Sequence, residues 1–152
     1  VMTREDENAL ADTKRADMEK RRDTVEESGA QLMVSIHMNK FSDTSVCGPQ
    51  VFYNPGSQQG ERLAKCIQEQ LNKVSPQSAK RTELTGDYFM LRTVTPIAVI
   101  VECGFLSNPK DAALLQSESY QKKLTGAIAS GIAEYADASG LGQEPLRSGA
   151  EE

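Results

Sequence analysis

His37 is the only histidine in the chain, and it closes an apolar stretch in the run Ser35-Ile36-His37-Met38-Asn39. A neutral imidazole at the end of a strand can ligate zinc or act as a general base near neutral pH. The alternative is a structural histidine satisfied by its surroundings, because one imidazole does not define a metal site. Glu102 follows the apolar residues 97–101 and precedes Cys103-Gly104-Phe105. A carboxylate at the end of a core strand is costly to bury unless it is paired or put to use. In an enclosed site, desolvation would raise its pKa toward the range that a general base or acid needs. The blander outcome is a side chain that reaches solvent or a helix N-terminus. Cys103 beside it suggests a thiol hydrolase with His37 as base. Adjacent strand residues point to opposite faces, however, so Glu102 and Cys103 cannot easily serve one site. Arg21 reads as a solvated charge on a helix, and Asn39 as an amide that shapes its loop.

A chain of 152 residues suits one domain able to bury a continuous core. With 38% hydrophobic and 26% charged residues it is globular rather than disordered. A formal net charge of −5 argues against broad attraction to nucleic acid or an anionic membrane. No stretch approaches the ~18–20 apolar residues that cross a bilayer. Cys47, Cys66 and Cys103 are odd in number and lack CxxC spacing, which indicates neither a disulfide scaffold nor a structural zinc site. The opening Val1-Met2-Thr3-Arg4 reads as the end of a strand, so the natural N-terminus is expected upstream.

The elements follow from patterning. Residues 6–28 lack Pro and Gly, and Leu10, Met18 and Val25 recur at two-turn spacing with Ala11 beside them, which predicts a long helix with a thin apolar face. Gly29 can supply a left-handed cap. Residues 31–37 read as a buried strand and residues 50–53 as a short one, closed by the turn signature Asn54-Pro55-Gly56. Ser57 can cap a helix running to Val74, with Leu63, Ile67, Leu71 and Val74 on one face. Residues 75–87 read as loop and residues 88–94 as a short strand. Residues 97–101 form the most strongly β-patterned segment. Asn108-Pro109 starts a short helix to Gln116, and a last helix spans residues 118–136 with Leu124, Ala127, Ile128, Ile132 and Tyr135 inward. Strands alternating with helices predict an α/β fold, three layers deep, around a mostly parallel or mixed sheet. Residues 1–137 would form the domain and residues 138–152 a disordered tail.

Taken in order, these segments resemble the zinc-dependent N-acetylmuramoyl-L-alanine amidases of the amidase_3 type. Met2-Thr3-Arg4 is similar to that family's Met/Leu-Thr-Arg strand, and Met18-Glu19-Lys20-Arg21 to its Leu-x-x-Arg. Residues 35–39 match Ser-Ile-His-x-Asn, whose His is a zinc ligand. Leu91-Arg92, Pro96 and the run from Val101 to Asn108 follow the closing signature, whose Glu is catalytic. Glu26–Gly29, Tyr53–Gly60 and Ile67–Leu71 are similar to the small spore-germination amidases of endospore-forming bacteria.

The resemblance implies a peptidoglycan hydrolase that cuts the amide between N-acetylmuramic acid and L-alanine. Zinc would be held by two His and one Glu and would activate a water, with Glu102 as the proton carrier. His37 matches one of these ligands; the other two are expected before residue 1, and the sheet's first strand with them. The chain by itself is therefore expected to be inactive. The substrate places the protein outside the cytoplasm, in the cell envelope or spore cortex, and an activating protein is left open. Two other readings remain: a non-catalytic peptidoglycan-binding or interaction module of the same fold, and an unrelated α/β hydrolase using Cys103.

Overall fold

The computed structural model of the chain describes residues 1–6, 8–76 and 79–141. Among them, strands β1 (Leu32–Asn39), β2 (Gln50–Tyr53), β3 (Leu84–Thr85) and β4 (Ile97–Phe105) form one sheet in the order β1-β4-β2-β3. β4 runs parallel to β1 and antiparallel to β2, and β2 runs parallel to β3. The sheet is mixed, one of the two arrangements expected. β4 occupies an interior position because residues 98–105 are all buried, so both of its faces need cover.

Cover comes from five helices: α1 (Lys14–Glu27), α2 (Gln58–Val74), α3 (Phe89–Thr93), α4 (Pro109–Leu115) and α5 (Glu118–Ser139). Odd-numbered β4 residues Val99, Val101 and Cys103 pack with Val51 against Leu63, Ile67 and Leu71 of α2 and Leu124 and Ile128 of α5. Even-numbered Ala98 and Ile100 pack with Met33 against Val25 of α1 and Met90 and Leu91 of α3. The result is three layers, α/β/α.

Local chemistry fixes the helix ends. Ser57 accepts a hydrogen bond from the Gly60 amide and caps α2. Asn108 accepts from the amides of Lys110 and Asp111, with Pro109 at the first helical position of α4. α2 and α5 meet at Gly131, where an added Cβ would lie 2.5 Å from the Ile67 Cα.

Several expectations need correction, among them the loop read over residues 75–87, which carries the two-residue strand β3 paired to β2. The first helix begins at Lys14 rather than residue 6, because Thr13 caps it by accepting from the Ala16 amide. Ahead of it, Asp6 accepts from the Asn8 backbone and side chain, a local turn that competes with helix. Leu10 therefore belongs to no helical stripe; its amide donates to Asp17. Residues 88–94 form α3 rather than a strand, since a short apolar run does not reveal its own period; Thr93 donates back to the Phe89 carbonyl there. Residues 1–4 join no strand ladder, and Val1 and Met2 are exposed. α5 continues past residue 136 to Ser139 and is closed by Gly140 at φ 66°; the tail expected beyond it falls outside the described residues from 142 onward.

Candidate functional site

The parallel register of β1 and β4 sets His37 directly beside Glu102. The same ladder pairs Met33 with Ala98, both in the core under α1 and α3, so every second residue from there shares that face. His37 and Glu102 are therefore neighbours on one face of the sheet. On the other side of β4, Gln50 is paired with Glu102 and shares the face as well. Three polar side chains thus form a row across the ends of three strands. A register irregularity between His37 and Asn39 ends the regular pairing just beyond the row.

Glu102 is 8% exposed, and its Oε2 is buried with no hydrogen-bond partner. Gln50 does not supply one, because its amide nitrogen donates to the carbonyls of Thr82 and Val51 while its oxygen accepts from Arg81. Arg81 is itself held by the Cys47 carbonyl and lies 5.2 Å over the Phe105 ring. With no donor to stabilise its charge, burial pushes the Glu102 carboxyl above the usual carboxylate range. That is the direction that suits a group required to take and return a proton.

His37 is exposed at the open end of β1. Desolvation lowers its pKa, with the charges of Arg21 and Arg4 adding to the effect, so the ring is neutral and has a lone pair to offer at neutral pH. Arg21 is more than a solvated charge: it lies 2.8 Å from Asp17, which is itself buried, and it lines a cleft of about 510 Å³ together with Arg4, Met18 and His37. Glu102 does not line that cleft. Asn39 behaves as the sequence suggested, its side chain accepting from the Lys40 amide.

Cys103 lies on the opposite face, in the core under α2 and α5, and burial with the nearby Glu102 charge pushes its thiol up to about 11. A thiol so placed is not ionised at neutral pH and cannot reach His37's face, which removes the thiol-hydrolase arrangement. A catalytic zinc ordinarily takes three protein ligands and a water. Among the described residues no group of three His, Cys, Asp or Glu side chains converges, so these residues by themselves do not fit a complete zinc site.

Sequence reasoning missed two residues of this neighbourhood. Gln50 was legible in principle, since β2 alternates Gln50 and Phe52 on one face with Val51 and Tyr53 on the other. Tyr88 was misplaced with the strand assigned to residues 88–94; it precedes α3 and packs edge-to-face on Phe52, with ring centroids 5.4 Å apart.

Comparison with known proteins gives this geometry a context. The Amidase_3 family, described as N-acetylmuramoyl-L-alanine amidase, matches residues 1–134. The germination-specific N-acetylmuramoyl-L-alanine amidase of Bacillus subtilis is 32% identical over 143 residues, covering 89% of this chain and 60% of that protein. Among solved structures, the CwlD amidase from Clostridioides difficile, in complex with the GerS lipoprotein, superposes with a TM-score of 0.85 at 35% identity, over 91% of this chain and 75% of that one. The catalytic domain of CwlV, an N-acetylmuramoyl-L-alanine amidase from Bacillus (Paenibacillus) polymyxa, gives a TM-score of 0.77 at 28% identity, over 90% and 72%. The chain thus spans about three-fifths of the curated B. subtilis relative. With the family matched over residues 1–134 and the His37–Glu102 pair on one sheet face, the chain belongs to the Amidase_3 family.

Proposed function

We propose that the protein is a peptidoglycan amidase, cutting the amide between N-acetylmuramic acid and L-alanine, with Glu102 as the group that moves the proton. The observation that carries this is the buried, unpartnered Glu102 oxygen beside a neutral His37 on one sheet face. A carboxylate in that state takes a proton from an attacking water and returns it to the departing amine as the carbon–nitrogen bond breaks. His37 offers its imidazole as one ligand of the zinc that the family resemblance implies; the described residues do not complete that ligand set. Such a substrate is met outside the cytoplasm, at the envelope or the spore cortex, and the described helices include none long and apolar enough to cross a membrane. By analogy with the complex formed by its C. difficile relative, a lipoprotein is the class of protein partner to test first.

The test measures release of new L-alanine N-termini from purified peptidoglycan by the intact protein. Glu102→Gln is expected to lower the rate by about 10²–10⁴-fold, the usual weight of a general acid–base group. His37→Ala is expected to lower both the rate and the zinc content found by elemental analysis. An unaltered rate in Glu102→Gln would refute the proposal.

A further inference from the structure

Tyr88 has a hydroxyl that its packing does not explain. Its ring is held by two neighbours: it packs edge-to-face on Phe52 at an interplanar angle of 66°, and it lies so close to Gly86 that an added Cβ there would sit 2.4 Å from Cε2 and 2.6 Å from Cδ2. Phe52 pairs with Ile100, on the face that carries Glu102, so the ring rests on the floor of the site. Phenylalanine would fill this space equally well.

What remains is the O–H. It forms no hydrogen bond among the described residues, and the side chain does not cap α3 although Tyr88 occupies the cap position. The residue is 37% exposed. Burial, with the charge of Glu102 adding to it, raises its pKa, which keeps the phenol protonated, hence a donor, throughout the physiological range. Glu102 Oε2 has no partner, so the phenol is not spent on it.

We propose that Tyr88 contacts the substrate directly, its phenolic O–H donating a hydrogen bond to the carbonyl oxygen of the amide being cut. This rests on the amidase reading above. As water adds to the carbonyl carbon, that oxygen gathers negative charge, and a donor already held in place strengthens its hydrogen bond without reorganising. The ring's contacts with Phe52 and Gly86 provide the holding. The sheet face then divides the work: Glu102 handles the proton, and Tyr88 steadies the charge on oxygen.

The experiment compares steady-state kinetics of the intact protein and its Tyr88→Phe variant on an N-acetylmuramoyl-L-alanyl peptide, with calorimetric binding of the same peptide to both. Tyr88→Phe is expected to lower kcat about 10²-fold, the weight of one oxyanion donor, while KM, peptide affinity and melting temperature stay close to the parent's. A merely structural tyrosine would show the opposite pattern, with stability or KM moved and kcat preserved. A parent that cleaves the peptide alongside a Tyr88→Phe variant of equal kcat overturns this proposal and leaves the amidase reading intact. A parent that neither binds nor cleaves the peptide overturns both.

Discussion

Replacing Glu102 by Gln should stabilise the protein while removing its chemistry. Gln has nearly the same shape and no charge, so it relieves the one burden visible at this position, a buried carboxylate oxygen without a partner. A buried polar atom left unsatisfied costs about 1–3 kcal/mol, and more when charged. The Gln amide inherits part of that cost, because its own N–H groups need partners, which leaves a net gain of about 1 kcal/mol. For a chain of this size that corresponds to a rise of about 2–4 °C in melting temperature. The gain must depend on pH in a definite sense. The Glu102 pKa is raised in the folded state, so its favourable contribution is complete below the unfolded-state value and is lost as pH rises to the folded-state value. Variant and parent should therefore melt together near pH 4, diverge above it, and keep a constant gap once pH exceeds the folded-state pKa. His37 is present in both proteins and to first order cancels. Thermal melts in matched buffers across this range provide the measurement. A variant that melts below the parent at pH 7, or a gap that ignores pH, would refute the claim that Glu102 is held charged without compensation.

Three further variants test the frame around the site. Asp111 accepts hydrogen bonds from the amides of Gly48 at 2.8 Å and Phe105 at 2.9 Å through one oxygen. Asp111→Ala orphans both buried N–H groups and should cost roughly 2–5 kcal/mol in chemical denaturation, with activity falling too because Phe105 ends the strand that carries Glu102. Gly131→Ala forces a Cβ against the Ile67 backbone and should destabilise by about 1–3 kcal/mol. In Gly126→Ala the new methyl meets nothing within 4 Å, so that variant should instead gain up to about 1 kcal/mol of helix propensity. Equal melting temperatures for the two variants would show that the α2–α5 approach is looser than described.

Much of this fold was legible because periodicity and capping residues agreed. β4 announced itself by an unbroken apolar run, α2 and α4 by the cap residues Ser57 and Asn108 at their starts, and α5 by its apolar stripe. The failures occurred where two local signals competed. Residues 6–12 have good helix composition, but Asp6 and Thr13 offer side-chain oxygens that stop the helix from extending backward. The run containing Tyr88 is too short to carry a period. For the site, His37 and Glu102 could be singled out by residue type and position, and face alternation correctly separated Cys103 from them. Their adjacency was implied only by the family resemblance and could not be read from patterning, since a parallel register depends on how two distant segments align. Neither the lone oxygen of Glu102 nor the idle hydroxyl of Tyr88 leaves a trace in sequence, because both are defined by partners that fail to arrive.

The alternation along β4 also makes the site sensitive to sliding. A shift of a single residue against β1 and β2 would present a sulfhydryl where the acid now stands and would drive the acid into the greasy interior beneath α2 and α5. The deeply inserted Val99 and Val101 resist such a slip, since their own places would then turn over as well. Trimming these valines, which touch no reacting atom, would loosen the address at which the acid is delivered, so damage to turnover can originate well inside the hydrocarbon layer.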